Sequence, residues 1–249
     1  MTILEELIGS LDTAGTQVRA VCAGARLTAV TTRHTGLAAT LRPDPSRGHG
    51  ALADAGTLLE KSGAELARYA LSEDTLSASL GLATINSLLD VETSACRERG
   101  AFEILAARGR DRDVAVVGHF PFVSRLRPLA RNLFVLEMRP QAGDLPASEA
   151  PRILPGCAVV CLSGTTLINH TLEGLLELCR DSYVVLTGPT SPLSPVLFDH
   201  GVDVVCGTRV VDGEAVHRLV SQGAGFRQVH GPAVRLLAMA PDPADLDVR

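Results

Sequence analysis

The sequence predicts an α/β protein in two parts: an α+β unit over residues 1–92 and a Rossmann-like, parallel-sheet unit over 93–249. Three observations carry this. In the second half the apolar runs DVAVVG, LFVLEM, CAVVCL, YVVLTG and VDVVCG are nearly continuous, as strands buried on both faces require. Helical stretches separate them, and strict alternation of strand and helix implies a parallel sheet with right-handed crossovers. In the first half, three β-like runs come in succession and two helical stretches follow, which is the order of an α+β unit.

Taken in chain order, residues 2–12 read as an acidic, amphipathic helix. QVRAVCAG, RLTAVTTR and GLAATL then read as a three-stranded antiparallel meander, split by turns at Gly24-Ala25-Arg26 and His34-Thr35-Gly36. Residues 43–57, rich in Pro, Gly and Asp, read as a loop. Helices are expected over 62–70 and 73–89, the second started by Ser72 with Glu73 and Asp74 near its positive end. A helix over 93–108 leads into the parallel strands. A loop and helix fill FPFVSRLRPLAR, a short helix lies near 147–153, and a helix follows SGTTLINHT. In that helix Leu167, Ile168, Thr171, Leu172, Leu175, Leu176 and Cys179 share the face expected to meet the sheet. Residues 241–249 read as a loose tail.

Composition narrows the function classes. Apolar residues make up 46% and aromatic residues 3% of the 249, so Leu, Val, Ile and Ala must build the core. A net charge of −5, with no basic tract and few aromatic rings, argues against nucleic acid as a partner. No apolar stretch approaches the roughly 18 residues of a membrane span, and the first residues lack the basic start of a signal peptide. The reading is a soluble cytoplasmic protein. Its six cysteines form no C-x-x-C pair and sit mostly in apolar runs, which favours reduced core thiols.

Open parallel sheets bind ligands beyond the carboxyl ends of their strands, near the point where strand order reverses. The residues there are Gly118, His119, Phe120 and Pro121 after the first strand and Glu137 after the second. Ser163, Gly164, Thr165 and Thr166 follow the third, and Gly188, Pro189 and Ser191 follow the fourth. Glu137 stands 19 residues beyond Gly118, close to the spacing of a ribose-binding acid. GHFPFV, however, lacks the glycines of G-x-G-x-x-G, and Pro121 offers no backbone donor, so the sequence argues against NAD. Glu137 is either a ligand group or a solvated strand-end carboxylate. SGTTL is either an ordinary helix cap or an anion site on exposed N–H groups, with Gly164 admitting the anion and Asn169 one turn above. GPTSPLSP is either a rigid loop over that pocket or a plain connection. His119, directly after a strand, is the candidate acid, base or metal ligand. No H-E-x-x-H or paired Cys/His spacing marks a metal site.

The ordered set VVGHFPFV, Glu137, SGTTLINHTLEGLL, GPTSPLSPVLFDHGVD and Gly207 resembles the "putative heavy-metal chelation" family, a Rossmann-like domain of unknown function. The run at Gly24–Val30, GLAATL at 36–41 and ATINSLL at 83–89 resemble the partner domain that precedes it, similar in fold to the N-terminal domain of enolases. The resemblance implies a cleft shared by the two domains, with Asn86 facing Gly118–Pro121, Thr165, Thr166 and Asn169. It also implies chelation, or handling of a metal ion or metal-complexed small molecule, with no proven reaction. The expected function is therefore binding of a small anionic or metal-linked ligand in that cleft. The alternative is a transferase or lyase acting on a phosphate-bearing or nucleotide-like molecule, with His119 as proton carrier. Ligand, metal and homo-oligomeric state stay open.

Overall fold

The computed structural model describes residues 1–41, 52, 54–231 and 233–247. Most of the loop expected over 43–57 lies outside them. The first unit begins with α1 (Ile3–Gly9), where Thr2 and Glu5 exchange a capping box and Ile3, Leu4 and Leu7 are buried. β1 (Ala20–Ala23), β2 (Leu27–Thr31) and β3 (Thr35–Ala39) form the expected antiparallel meander in that order. α2 (Gly63–Ala67) has its own capping box from Ser62 and Glu65 and runs into a 3₁₀ turn over Arg68–Leu71.

The long helix is α3 (Thr75–Leu88), and its cap is Asp74, whose carboxylate accepts from Ser77 N at 2.8 Å. Ser72 sits two residues back, its hydroxyl accepting from Asp74 N. Residues on every side of α3 are buried, because the meander covers one face and α2 with its 3₁₀ turn covers the other. Its buried hydroxyls are satisfied locally: Thr84 Oγ1 donates to Leu80 O and Ser79 Oγ to Thr75 O.

The second unit departs from expectation at its start. Residues 93–100 are not helical. A 3₁₀ turn over Thr93–Ala95 leads to an edge strand, β4 (Cys96–Arg97), and α4 (Ala101–Arg108) begins only after Gly100, which is extended. Next come β5 (Asp113–Val117), α5 (Val123–Leu126), β6 (Asn132–Glu137), β7 (Leu145–Pro146), α6 (Ala150–Ile153) and β8 (Val159–Ser163). α7 (Thr165–Ile168), α8 (Leu172–Glu177), β9 (Tyr183–Thr187), β10 (Val204–Val210), α9 (Gly213–Ser221), α10 (Phe226–Val229) and β11 (Val234–Met239) complete it.

The sheet runs β4-β11-β10-β9-β8-β5-β6-β7. The six strands from β10 to β7 are parallel, and β11 and β4 add antiparallel at one edge. Numbered along the chain, the parallel strands stand in the 3-2-1-4-5-6 order of the doubly wound fold, so the reversal falls between β5 and β8. The five expected strands are present. β4, β7 and β11 are additional. Of the expected loose tail, residues 241–247 are described and are docked: Leu246 is fully buried, and Arg97 and Arg108 pair with Asp247 and Asp245.

The single helix expected after SGTT is two short ones. His170 takes a left-handed conformation at φ +57, and the hydroxyl of Thr171 donates to Asn169 Oδ1 at 2.7 Å. That break turns the chain, so Thr171 is exposed rather than on the sheet face with Leu172, Leu176 and Cys179.

The two units are clasped by polar contacts. Ala39 N donates to Thr190 Oγ1 at 2.9 Å, Ile3 N donates to Glu173 Oε1 at 2.7 Å, and His170 Nε2 donates to Ala70 O at 3.0 Å. His217 on α9 bonds Thr31 on β2 at 2.9 Å. Burial lowers the affinity of His217 for a proton below its usual value of 6.5. The unfolded chain therefore binds the proton first as pH falls, and stability drops below about pH 6.5. The melting temperature should fall between about pH 8 and about pH 5, and His217→Gln should flatten that slope. An unchanged slope in the variant would assign the acid sensitivity to other groups.

Candidate functional site

The carboxyl ends of β5, β8 and β6 meet at the reversal point. Gly118, at φ +110, turns the chain out of β5, and an added Cβ would sit 3.1 Å from Ser163 Cβ, so the two strand ends touch here. Glu137 fixes this corner. One carboxylate oxygen accepts from His119 N at 2.8 Å and the other from Met138 N at 3.0 Å.

The His119 ring points at Asp144, with Nδ1 3.0 Å from one carboxylate oxygen and 3.2 Å from the other. The Asp144 side chain is 2% exposed, and that of His119 is 34% exposed. Asp144 is held in turn by Gln141 N at 3.1 Å. A carboxylate only accepts, so Nδ1 carries a proton, and in the neutral form of the ring the lone pair is on Nε2. This carboxylate–imidazole relay orients metal-binding and proton-transferring histidines alike. Phe120 stacks on Phe122 at 5.0 Å and closes one side, while Pro121 is exposed.

On the facing strand end, Ser163 Oγ and Thr165 Oγ1 share a hydrogen bond of 2.8 Å, and Ser163 Oγ accepts from Thr165 N. Thr166 is buried and donates to Ser163 O at 2.7 Å. The Asn169 amide lies 3.6 Å from the Met138 sulfur, which brings the 163–169 segment against the corner held by Glu137.

Three expectations change here. α7 is four residues long, too short to supply the dipole on which the anion site rested. Gly164 is glycine because protein fills the space: an added Cβ would lie 2.5 Å from Ser191 Oγ and 2.7 Å from Ser191 N. GPTSPLSP does not lie over a pocket. Gly188, at φ +122, turns the chain inward, Pro189 is partly buried, and Thr190, Ser191 and Ser194 are at most 2% exposed between the two units.

Asn86 belongs to that same packing. Its amide donates to Leu37 O at 2.8 Å and to Pro189 O and Thr190 O at 3.3 Å, tying β3 to the buried loop. It lines a pocket with residues of β3 and β10, and none of 118–121 or 163–169 lines that pocket.

A chelating cage needs three or four converging N, O or S donors. Among the described residues no three His, Cys, Asp or Glu side chains converge in that way. The six thiols are unpaired, and all but Cys22 are buried. Burial pushes Cys157 up to about 11 and Cys179 up to about 12, and raises Cys161 and Cys206 as well, which disfavours the thiolate that binds metal. The donors among the described residues therefore do not form a resident heavy-metal cage. One free imidazole nitrogen fits a single coordination position on a metal already held by another molecule. No helix among the described residues is long and apolar enough to cross a membrane.

The fold and this corner define a class: a Rossmann-like sheet fused to an α+β unit, with an oriented imidazole at the switch point. The chain belongs to the DUF364 family, described as "Putative heavy-metal chelation", which matches residues 100–239, preceded by a DUF4213 match with the same description over residues 4–89. An uncharacterized protein of Methanocaldococcus jannaschii is 30% identical over 185 residues, covering 71% of this chain and 70% of that one. A DUF364 protein of unknown function from Desulfitobacterium hafniense superposes with a TM-score of 0.80 at 26% identity, covering 96% of this chain and 97% of that one. Another from Pyrococcus horikoshii gives 0.79 at 19% identity, with 96% and 98% covered.

Proposed function

We propose that the protein binds a metal-complexed small molecule at the carboxyl edge of its parallel sheet, with His119 Nε2 supplying one ligand to the metal. The metal is cargo, chelated mainly by the molecule that carries it. The observation behind this reading is the His119–Asp144 pair, which fixes the ring through Nδ1 and leaves Nε2 with no partner among the described residues. The family description supports a metal-related role, and the lack of a three-donor cluster among the described residues supports a pre-chelated form. Six unpaired thiols support a reducing, cytoplasmic setting.

The test uses nickel(II)–nitrilotriacetate, a chelate with open positions for imidazole. Titration calorimetry of the full chain should show one site that His119→Ala abolishes. Equal binding by the variant would reject His119. Tighter binding of bare nickel than of the chelate would reject the pre-chelated form.

A further inference from the structure

The pocket lined by Asn86, of about 410 Å³, opens beside β10 where its last residues run beyond their pairing with β9. One wall is β10, with Thr208, Arg209 and Val210. The opposite wall is the segment after α3, with Leu89, Asp90, Val91 and Glu92. The volume lies within the range of small-molecule sites.

The charges on the two walls are opposite in sign and unequally paired. Arg209 stands directly across from Arg235 in the antiparallel register, where like charges destabilise the pair. Arg235 is neutralised by Glu98 at 2.8 Å. Arg209 is exposed, lines the pocket and pairs with no carboxylate among the described residues. On the other wall, Asp90 is fully engaged: one oxygen accepts from Arg33 Nη1 and the other meets His34 Nε2 at 2.8 Å. Glu92 is engaged only through Oε1, which accepts from Ser94 at 2.8 Å. Among the described residues, what remains free is the Arg209 guanidinium and one carboxylate oxygen of Glu92, with apolar Leu89, Val91 and Val210 also lining the pocket.

We propose that this pocket binds a small zwitterion of the α-amino acid class, its carboxylate on Arg209, its ammonium on Glu92 and its side chain against the apolar residues. Asp90, already neutralised, shapes the wall. Asn86 is committed to the clasp between the units and contributes only its edge. The site is separate from the His119 corner and needs no metal.

The test is titration calorimetry of the full chain with the twenty α-amino acids, each alongside its N-acetyl and amide forms. At least one free amino acid should bind saturably in the millimolar range or tighter. Arg209→Met, which keeps the apolar stem, should weaken it at least about tenfold, as should Glu92→Gln, in line with loss of one charged hydrogen bond. His119→Ala should leave it unchanged. Absence of binding by every amino acid, full affinity in Arg209→Met, or an N-acetyl form that binds as tightly as the free one would overturn the proposal.

Discussion

Gly81→Ala is expected to destabilise the protein by about 2–3 kcal/mol, although the substitution puts the best helix former in the middle of a helix. Propensity alone favours Ala over Gly by about 1 kcal/mol. Packing opposes it more strongly. A Cβ at position 81 would lie 1.9 Å from Ala70 N, 2.5 Å from Tyr69 C and 2.6 Å from Ala70 Cα. These are backbone atoms of the 3₁₀ turn over Arg68–Leu71, so no rotamer change relieves the clash. The turn must move away from α3, which loosens the core that Leu66, Ala67 and Ala70, all fully buried, share with Leu80 and Leu82. Urea unfolding of the variant measures the effect. A midpoint equal to or above that of the parent would mean that α3 and the turn are not packed this closely.

Asp144→Asn is expected to weaken binding of the chelated metal about 10- to 100-fold, the usual cost of losing the group that orients a ligating histidine. The Asp144 carboxylate receives two donors, Gln141 N and the His119 Nδ1 proton. Asn has one acceptor oxygen. The Gln141 amide and the closer His119 contact both fall on Oδ2, and Oδ1 lies 3.2 Å from Nδ1. With the amide oxygen in the Oδ2 place, the NH₂ stands against Nδ1 and favours the tautomer with the proton on Nε2, which blocks the ligand position. With the NH₂ in the Oδ2 place, the 141–144 turn loses its anchor. The melting temperature should change little beside the change in affinity, because the pair sits at the rim of the fold. The nitrogen chemical shifts of the His119 ring report the tautomer. Wild-type affinity in a folded variant would reduce Asp144 to a loop residue.

The strands of the second unit were legible because a strand buried on both faces has little freedom of composition: VAVV, VVCL and YVVL carry the signal themselves. β4 and β7, two residues each, are too short to carry a period, and β11 pairs antiparallel where an alternating βα pattern expects the next strand to be parallel. The split between α7 and α8 was hidden because the left-handed residue is His170, with no glycine to mark it. Among the site residues, His119 and Glu137 could be read from their positions at strand ends. Their roles could not, since Glu137 acts on two backbone amides and His119 depends on how residues 138–144 fold back. Asp144 carries no such signal, because its partner lies 25 positions away. Gly164 and Asn86 were misplaced for one physical reason: the proline-rich loop, left open as a pocket cover or a plain connection, is buried, and both residues pack against it.

The most direct measurement is an NMR spectrum of the protein labelled with ¹⁵N in its histidine rings, before and after adding nickel(II)–nitrilotriacetate. The geometry requires that His119 carry its proton on Nδ1 and that its Nε2 signal be the first lost to the paramagnetic chelate. A proton on Nε2, or a His119 ring left untouched while other histidines broaden, would contradict the assignment of His119 as the ligand to the cargo metal.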